Sequence, residues 1–251
     1  MQNFKNKTVV ITGGTSGIGL ATAKQLVAQE AKVIITGRNK DVVEAEAKNI
    51  GAIGIVSDQS KLSHIDELVK EATNKLGKVD VLFINAGIAA FAPISAIAEN
   101  DFDTMMDINF KGAVFTLQKF LPILNDGASV IFLSSINSYN AMENTTVYAA
   151  SKAALNVLAR VAAIELAPRN IRVNTVSPGP VNTPLWGKVG MNEEQLSQTA
   201  ALIQSKVPLK KFASSDDIAN TVLFLASDDS SYTTGAEFVV DGGFNLNTMV
   251  G

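Results

Sequence analysis

Short apolar runs alternate with longer amphipathic segments along the whole chain. The runs have the length of β-strands and are rich in residues that favour strands, and they cover 7–12, 32–36, 53–57, 80–84, 129–134, 171–176 and 236–240. The segments between them repeat apolar residues at helical spacing, over 17–29, 40–49, 61–76, 101–124, 147–167 and 215–227. The pattern therefore predicts strands and helices in regular alternation.

This alternation predicts right-handed βαβ units and one doubly wound parallel sheet of about seven strands, with helices on both faces. Runs such as 129–133 are apolar nearly throughout, as parallel strands buried on both faces are. No linker rich in Pro, Gly or Ser divides the chain, so we predict a single α/β domain over 1–251. An insert at 185–214, with one short helical piece around 193–204, is predicted to form a substrate lid. The competing interpretation is an ordinary surface excursion.

Composition narrows the classes of function. The net charge of -3 argues against nucleic acid or an anionic membrane as a partner. The chain has no cysteine, which excludes disulfides, thiolate catalysis and zinc–thiolate sites, and its single histidine argues against a metal site. The N-terminal segment enters a strand at once and no apolar run reaches about 18 residues. We therefore expect a cytoplasmic protein without signal peptide or membrane segment.

A glycine-rich loop lies between the first predicted strand and the first predicted helix. Its glycines follow the spacing G-x-x-x-G-x-G, which differs from the commoner G-x-G-x-x-G. Glycine permits a tight turn and a close approach to a pyrophosphate, which binds at the positive N-terminus of a helix. In this position the loop predicts a dinucleotide site rather than a turn without ligand. The predicted contacts are Gly13, Thr15, Ser16, Gly17, Ile18 and Gly19.

The end of the second predicted strand indicates which dinucleotide binds. An NAD(H) site usually has Asp or Glu near this position, to bind the ribose 2′-hydroxyl. This chain has Arg38 instead, and a guanidinium group can hold a 2′-phosphate. We predict NADP(H), with NAD(H) as the alternative cofactor. The competing interpretation is a solvated arginine at a strand end.

Two further segments at strand ends complete the predicted cofactor site. Asp58 follows the third strand, with Gln59 beside it, and is placed to line the adenine pocket. Asn85, Ala86 and Gly87 follow the fourth strand, where small residues leave room for a ligand. Ligands of such sheets bind in the crevice outside the carboxyl ends of the strands.

A tyrosine and a lysine four residues apart are the strongest candidates for chemistry. Tyr148 and Lys152 lie in a stretch with helical periodicity, so one turn places them on the same face. An ammonium group beside the phenol favours the phenolate, as does an oxidised nicotinamide. We therefore predict a pKa for Tyr148 lowered from about 10 towards neutrality. Ser135 ends the fifth predicted strand and can reach the same crevice to bind the substrate oxygen.

Seven motifs occur in order along nearly the full chain: TGGTSGIG (12–19), NAG (85–87), Asn109, SS (134–135), YAASK (148–152), PGPVNT (178–183) and VDGG (240–243). With them the sequence resembles the short-chain dehydrogenase/reductase family, and within it the carbonyl reductases and 3-oxoacyl-(acyl-carrier-protein) reductases. The resemblance implies a Rossmann-like fold and an NADP-dependent oxidoreductase that reduces a ketone to a secondary alcohol, reversibly.

The resemblance also implies a role for each matching residue. Tyr148 would protonate the carbonyl oxygen or deprotonate the alcohol, and Ser135, thirteen residues earlier, would orient that oxygen. Lys152 would bind the nicotinamide ribose, and Asn109 would hold a water that links Lys152 to solvent as a proton relay. The residues implied to surround the nicotinamide carboxamide are Pro178, Gly179, Val181 and Thr183.

The candidate substrate pocket is largely apolar, which favours a hydrophobic ketone or its alcohol. Its predicted lining is Ile88, Ala89, Phe91, Asn137, Tyr139, Met142, Leu185 and Trp186, with no Arg or Lys to hold a carboxylate or phosphate. The alternative, a 3-oxoacyl-(acyl-carrier-protein) reductase, needs basic residues at the mouth of the site for its acidic partner. Arg169 matches one such position, but the predicted turn at 125–127 is acidic.

Two other classes of function stay open at this stage. One is a regulator that senses NADP(H) without turnover, which would have no need of the Ser135, Tyr148 and Lys152 set. The other is an epimerase or dehydratase that keeps its cofactor bound, although such relatives usually carry a longer substrate domain. The resemblance further implies a homotetramer, built on the helices 101–124 and 147–167 and on the last strand with its tail.

Overall fold

A computed structural model describes residues 3–183 and 193–246. Its strands form one parallel sheet in the order β3-β2-β1-β4-β5-β6-β7. They are β1 (Thr8–Thr12), β2 (Lys32–Gly37), β3 (Ile53–Val56), β4 (Val79–Ile84), β5 (Leu124–Leu133), β6 (Arg172–Pro178) and β7 (Glu237–Val240). The strand order reverses direction between β1 and β4, which opens a crevice at their carboxyl ends. The predicted doubly wound parallel sheet is confirmed.

Helices cover both faces of the sheet. They are α1 (Gly17–Ala28), α2 (Lys40–Ile50), α3 (Leu62–Leu76), α4 (Glu99–Met106), α5 (Gly112–Phe120), α6 (Thr146–Leu166), α7 (Glu193–Lys206) and α8 (Ser215–Ala226). Two apolar cores result, because successive strand side chains point to opposite faces. Val10 of β1 packs into the core with α3, α5 and α6, whereas its neighbours Val9 and Ile11 pack into the core with α1 and α8.

Helical backbone runs through nearly all of the predicted helix 101–124, but it is irregular near its centre and ends before Leu124. A π-helical turn, Asp107–Lys111, separates α4 from α5, and β5 already begins at Leu124. The side chain of Asn109 in this turn hydrogen-bonds to the backbone of Ile88, beyond the end of β4. The irregular turn is therefore held by a tertiary contact, which local periodicity does not reveal.

The acidic turn predicted before the fifth strand lies inside β5. The pairing of β4 with β5 shifts there, since Val79 faces Leu124 whereas Val81 faces Ser129. Gly127 takes a positive φ of 81° in this bulge. The residues between these paired positions lie outside the hydrogen-bonded ladder, and pairing resumes after them. The strand β5 is therefore longer than the apolar run 129–134 that predicted it.

The helix α6 is unusually apolar along its length. Together with the short turn that follows it, Thr146–Arg169 is long and apolar enough to cross a membrane, judged by length and composition only. It packs against β6, and Leu155, Ala159 and Ala162 on one side of it are buried in the core. Core packing therefore accounts for much of its apolar character.

Candidate active site

A cleft with two connected parts lies at the carboxyl ends of the strands. The glycine-loop part has a volume of about 290 Å³ and contains the predicted adenine and phosphate contacts. The Tyr148 part has a volume of about 340 Å³ and contains the predicted catalytic residues. Ile18, Asn85 and Gly87 line both parts. A continuous cleft of this length suits an elongated ligand.

The structure brings the predicted cofactor residues together along this cleft. Those lining the glycine-loop part are Gly13, Thr15, Ser16, Gly17, Ile18, Arg38, Asp58, Gln59, Asn85, Ala86, Gly87 and Thr183. Those lining the Tyr148 part include Tyr148, Lys152, Pro178, Gly179 and Val181. Gly19 packs beneath the loop instead, where a Cβ would lie 2.5 Å from the carbonyl oxygen of Gly13. Its role is to allow the helix to approach the loop.

The beginning of α1 is suited to an anion. Ser16 is the N-cap residue, but its side chain makes no capping hydrogen bond, and the first turn contains no acidic residue. The N–H groups of that turn and the positive helix end are therefore directed at the cleft without a competing carboxylate. Gly17 adopts a φ of +52°, which a residue with a side chain rarely adopts.

Hydrogen bonds between β1 and β4 hold the crevice in shape. The Asn85 side-chain amide donates to the carbonyl oxygens of Thr12 and Gly13, at 3.0 and 2.8 Å. The Thr12 hydroxyl in turn accepts from the backbone N–H groups of Asn85 and Ala86, both at 3.1 Å. These bonds tie the glycine loop to the end of the neighbouring strand, so Asn85 acts here by positioning the loop.

Arg38 and Asp58 face the same end of the glycine-loop part. Burial acts to raise the pKa of Asp58, but hydrogen bonds from Ser60 and the charges of Arg38 and Lys61 hold it below its ordinary value. The Asp58 backbone N–H donates to Nδ1 of His64. This contact was not predicted, because no feature of the nearby sequence indicates that the side chain of His64 folds back onto the loop that precedes α3.

The two adjacent serines at the end of β5 have different partners. The Ser134 hydroxyl donates to the backbone carbonyl of Lys152 and so joins β5 to α6. The Ser135 hydroxyl accepts from the N–H of Asn137 at 3.2 Å and lies near enough to Tyr148 to lower the pKa of the phenol. Ser135 is thus the serine directed towards the phenol, as predicted from its distance along the chain.

The pKa of Tyr148 differs in direction from our prediction. Burial raises the pKa of the phenol, and the hydrogen bond from Ser135 offsets only part of that rise. The Lys152 ammonium lies 5.8 Å from the centre of the ring and donates at 2.8 Å to the backbone carbonyl of Leu133. The hydrogen bond of this amine is thus made to the backbone, and burial of the phenol outweighs the effects that favour the phenolate.

Lys152 is almost completely buried, and burial lowers its pKa to about 8. Gly87 lies beside it, and a Cβ at that position would come within 3.3 Å of Nζ. The space that Gly87 leaves open joins the two parts of the cleft next to the amine. The residues here therefore fit a dinucleotide whose ribose reaches Lys152.

The side chain of Asn109 is fully engaged in hydrogen bonds. Its oxygen accepts from the N–H of Ile88, and its amide donates to the carbonyl of Ile88 and to the Ser151 hydroxyl. A water relay at this residue would therefore have to use its backbone rather than its side chain. The relay stays a prediction, while the carboxamide positions Ile88 in the cleft wall.

The predicted substrate residues divide into three groups. Five of them line the Tyr148 part of the cleft: Ile88, Ala89, Phe91, Asn137 and Met142. Tyr139 does not, because the turn Ile136–Ser138 places it outside, where its hydroxyl accepts from Asn245 at 2.9 Å. Leu185 and Trp186 lie outside the described residues.

Several lining residues were not found from the sequence. They are Glu143, Asn144, Thr145, Thr199, Ile203 and Phe244. Phe244 follows the last strand and reaches the cleft because Asn245 is held by Tyr139, Asn140 and Asp241. No periodicity marks such a residue, since its place depends on a contact between distant segments.

Comparisons with known proteins agree with this site. A family model described as enoyl-(acyl carrier protein) reductase matches residues 13–245. The chain is 36% identical over 253 residues to an NADP-dependent (R)-specific alcohol dehydrogenase of Lentilactobacillus kefiri, covering 96% of this chain and 97% of that protein. It is 37% identical over 248 residues to the 3-oxoacyl-(acyl-carrier-protein) reductase FabG of Thermotoga maritima, covering 96% and 98%.

Solved structures are similar over the same length. Levodione reductase superposes with a TM-score of 0.93 at 30% identity, covering 97% of this chain and 99% of that one. A blue fluorescent protein from a metagenomic library, solved in complex with NADPH, has a TM-score of 0.89 at 32% identity, with coverage of 97% and 99%. Both likenesses extend over the sheet, the glycine loop and the cleft.

Proposed function

Since the chain belongs to the short-chain dehydrogenase/reductase family, we propose that it reduces a hydrophobic ketone to a secondary alcohol with NADPH, reversibly. It is an oxidoreductase of carbonyl compounds with a nicotinamide cofactor. The observation that carries the proposal is the placement of Ser135 and Tyr148 in a mostly apolar cleft that continues into the dinucleotide cleft.

The side chains support reduction in the following way. Ser135 is placed to donate a hydrogen bond to the carbonyl oxygen and so to orient it beside Tyr148. A phenol whose pKa is raised by burial is protonated at neutral pH, so Tyr148 can give its proton to that oxygen. When bound, the reduced nicotinamide supplies the hydride. Lys152 binds the ribose and contributes positive charge beside the phenol.

In this structure Arg169, the basic residue that would contact an acidic carrier protein, is engaged within the chain. Nε of Arg169 donates to Asp126 at 2.8 Å, and its two terminal nitrogens donate to the backbone carbonyls of Leu121 and Leu124. Arg169 is thus engaged in joining a helix end to the β5 bulge. A small ketone therefore remains the favoured substrate over a 3-oxoacyl group on an acidic carrier protein.

Turnover assays with both cofactors test the proposal and the preference for NADPH. We expect the protein to oxidise NADPH with uncharged aryl or alkyl ketones, and more slowly with 3-oxoacyl thioesters. The Arg38→Ala variant should lose about tenfold to a hundredfold in kcat/KM for NADPH, because the 2′-phosphate loses a charge-assisted pair. Its kcat/KM for NADH should change little.

A charge change far from the cleft provides the control. Lys70→Ala removes an exposed cation on α3 that pairs with Glu67, and it should leave both cofactors unaffected. An equal loss with NADPH and NADH in Arg38→Ala would contradict the assignment of Arg38. No turnover of any ketone, with cofactor still bound, would favour the sensing regulator.

We also propose the homotetramer that the family resemblance implies. The outer face of α6 exposes Val157 by 52%, Val161 by 48% and Ile164 by 78%. Light scattering should give four times the chain mass, and Ile164→Glu should reduce it to two or one. Val42→Glu, a matched change on α2, should leave the mass unchanged. A wild-type monomer would contradict the proposal.

The lid over 185–214 stays a prediction, and α7 within it contributes Thr199 and Ile203 to the cleft. The cytoplasmic location also stays a prediction.

A further inference from the structure

Glu143 is a carboxylate on the wall of an otherwise mostly apolar cleft. The apolar lining includes Ile88, Phe91, Met142 and Ile203. Phe91 additionally makes an edge-to-face contact with the Tyr148 ring, with centroids 6.1 Å apart. An acidic group in such surroundings is a specific feature of this cleft, because ketone reduction itself does not require it.

The backbone around Glu143 is firmly held. The carbonyl of Asn144 accepts from the N–H of Ala92 at 2.9 Å, which ties the segment to the loop after β4. The hydroxyl of the buried Thr145 donates to the carbonyl of Met142 at 2.7 Å. Glu143 therefore belongs to a tight turn immediately before α6, five residues ahead of Tyr148. Glu143 thereby lines the same cleft as Tyr148.

The charged side chains on the described lining of the Tyr148 part of the cleft differ in their exposure. Glu143 and Lys152 are the charged side chains among the described residues that line the Tyr148 part of the cleft. Lys152 is 3% exposed and its amine donates to the carbonyl of Leu133, and the proposed function assigns this amine to the cofactor ribose. Within the described chain, Glu143 is exposed and has no ion-pair partner. Among the described lining residues, a substrate therefore meets the carboxylate of Glu143 at the wall, whereas the amine of Lys152 is buried.

We propose that Glu143 makes the cleft select hydrophobic ketones that carry a basic nitrogen, and discriminate against ketones that carry a carboxylate or a phosphate. This inference rests on the proposed function. An alkylammonium group on the substrate would pair with the carboxylate while the rest of the molecule packs against the apolar wall. An anionic substrate would meet repulsion from the same carboxylate.

Three ketones of one skeleton test the proposal: acetophenone, 4-(dimethylaminomethyl)acetophenone and 4-acetylbenzoate, assayed with NADPH at pH 7. In the wild type, kcat/KM for the cationic ketone should exceed that for the anionic ketone. In Glu143→Gln the ratio of the two should fall by about tenfold, and in Glu143→Lys it should invert. Salt at about 0.5 M should lower the wild-type ratio, since the discrimination is electrostatic.

Glu67→Gln makes the same change in net charge on α3, outside the cleft lining, and it should keep the wild-type ratio. An unchanged ratio in Glu143→Gln and Glu143→Lys would overturn the proposal. Turnover of acetophenone reports separately on the proposed function. If no ketone is turned over, calorimetric titration of the NADP-loaded protein measures the binding of the two charged ketones instead. Equal binding of both, or binding of neither, overturns the role of Glu143.

Discussion

Replacing Tyr148 with phenylalanine should lower kcat for ketone reduction by about a thousandfold, while binding of NADPH changes by less than about threefold. The change removes one oxygen atom and with it the proton donor to the carbonyl oxygen. The ring and its edge-to-face contact with Phe91 remain. The loss should therefore appear in kcat with little effect on folding, measured by steady-state kinetics and by NADPH fluorescence titration.

The chain contains a matched control for this change. Tyr232 is fully exposed, at 103% of its reference area, and Tyr232→Phe should retain full activity. A Tyr148→Phe variant that keeps more than about a tenth of the wild-type kcat would show that another group supplies the proton. A variant that loses NADPH binding as well would indicate a structural rather than a catalytic defect.

Replacing Lys152 with methionine should have opposite effects on activity and stability. Activity should fall by at least about a hundredfold, because the ribose contact and the charge beside the phenol are lost. The free energy of unfolding at pH 7 should rise by about 1–3 kcal/mol, since a buried ammonium gives way to an apolar side chain of similar length. The lost hydrogen bond to Leu133 offsets part of that gain.

The pH dependence of this difference identifies its cause. The pKa of Lys152 is lowered by burial to about 8 in the folded protein, from 10.5 ordinarily. Below pH 8 the amine is charged in both states, so the folded state bears the full cost of burying it. Between pH 8 and 10.5 the unfolded chain binds the extra proton, so wild-type stability gains as pH rises. The advantage of Lys152→Met should therefore shrink over that interval.

Urea unfolding of the wild type and of Lys152→Met at pH 7 and at pH 9.5 measures how their difference in stability changes with pH. Lys70→Met, the same replacement at an exposed position of α3, serves as the control for the substitution itself. A stability difference for Lys152→Met that does not vary with pH would contradict a buried charged amine. A destabilised variant at pH 7 would show that the bond to Leu133 outweighs the cost of burial.

Features encoded by neighbouring positions were predictable from the chain alone. Strand runs show their burial by continuous apolar residues, and the glycine loop shows its turn because Gly13 and Gly17 take positive φ angles. Tyr148 and Lys152 share a helix face because they are one turn apart. These relations depend only on short-range geometry, so the fold class and most of the cleft lining could be predicted.

Relations between distant segments could not be predicted. The helix is irregular around Asn109, whose side chain hydrogen-bonds to the backbone of Ile88. Tyr139 turns outward to Asn245 rather than into the cleft. The pKa of Tyr148 rises, although a lysine lies one turn away, because burial of the phenol outweighs the effects that favour the phenolate. Helical spacing brings two side chains near each other but does not decide their hydrogen-bond partners.

The sequence by itself determined the parallel sheet, the dinucleotide loop and the pairing of Tyr148 with Lys152, because each is recorded in the spacing of nearby residues. The tertiary structure alone decided the hydrogen-bond partners of Lys152 and Asn109, and it brought residues from remote segments, such as Ile203 and Phe244, into the cleft. Cleft walls are assembled from loops far apart in the chain. Their composition therefore depends on packing that no local pattern encodes.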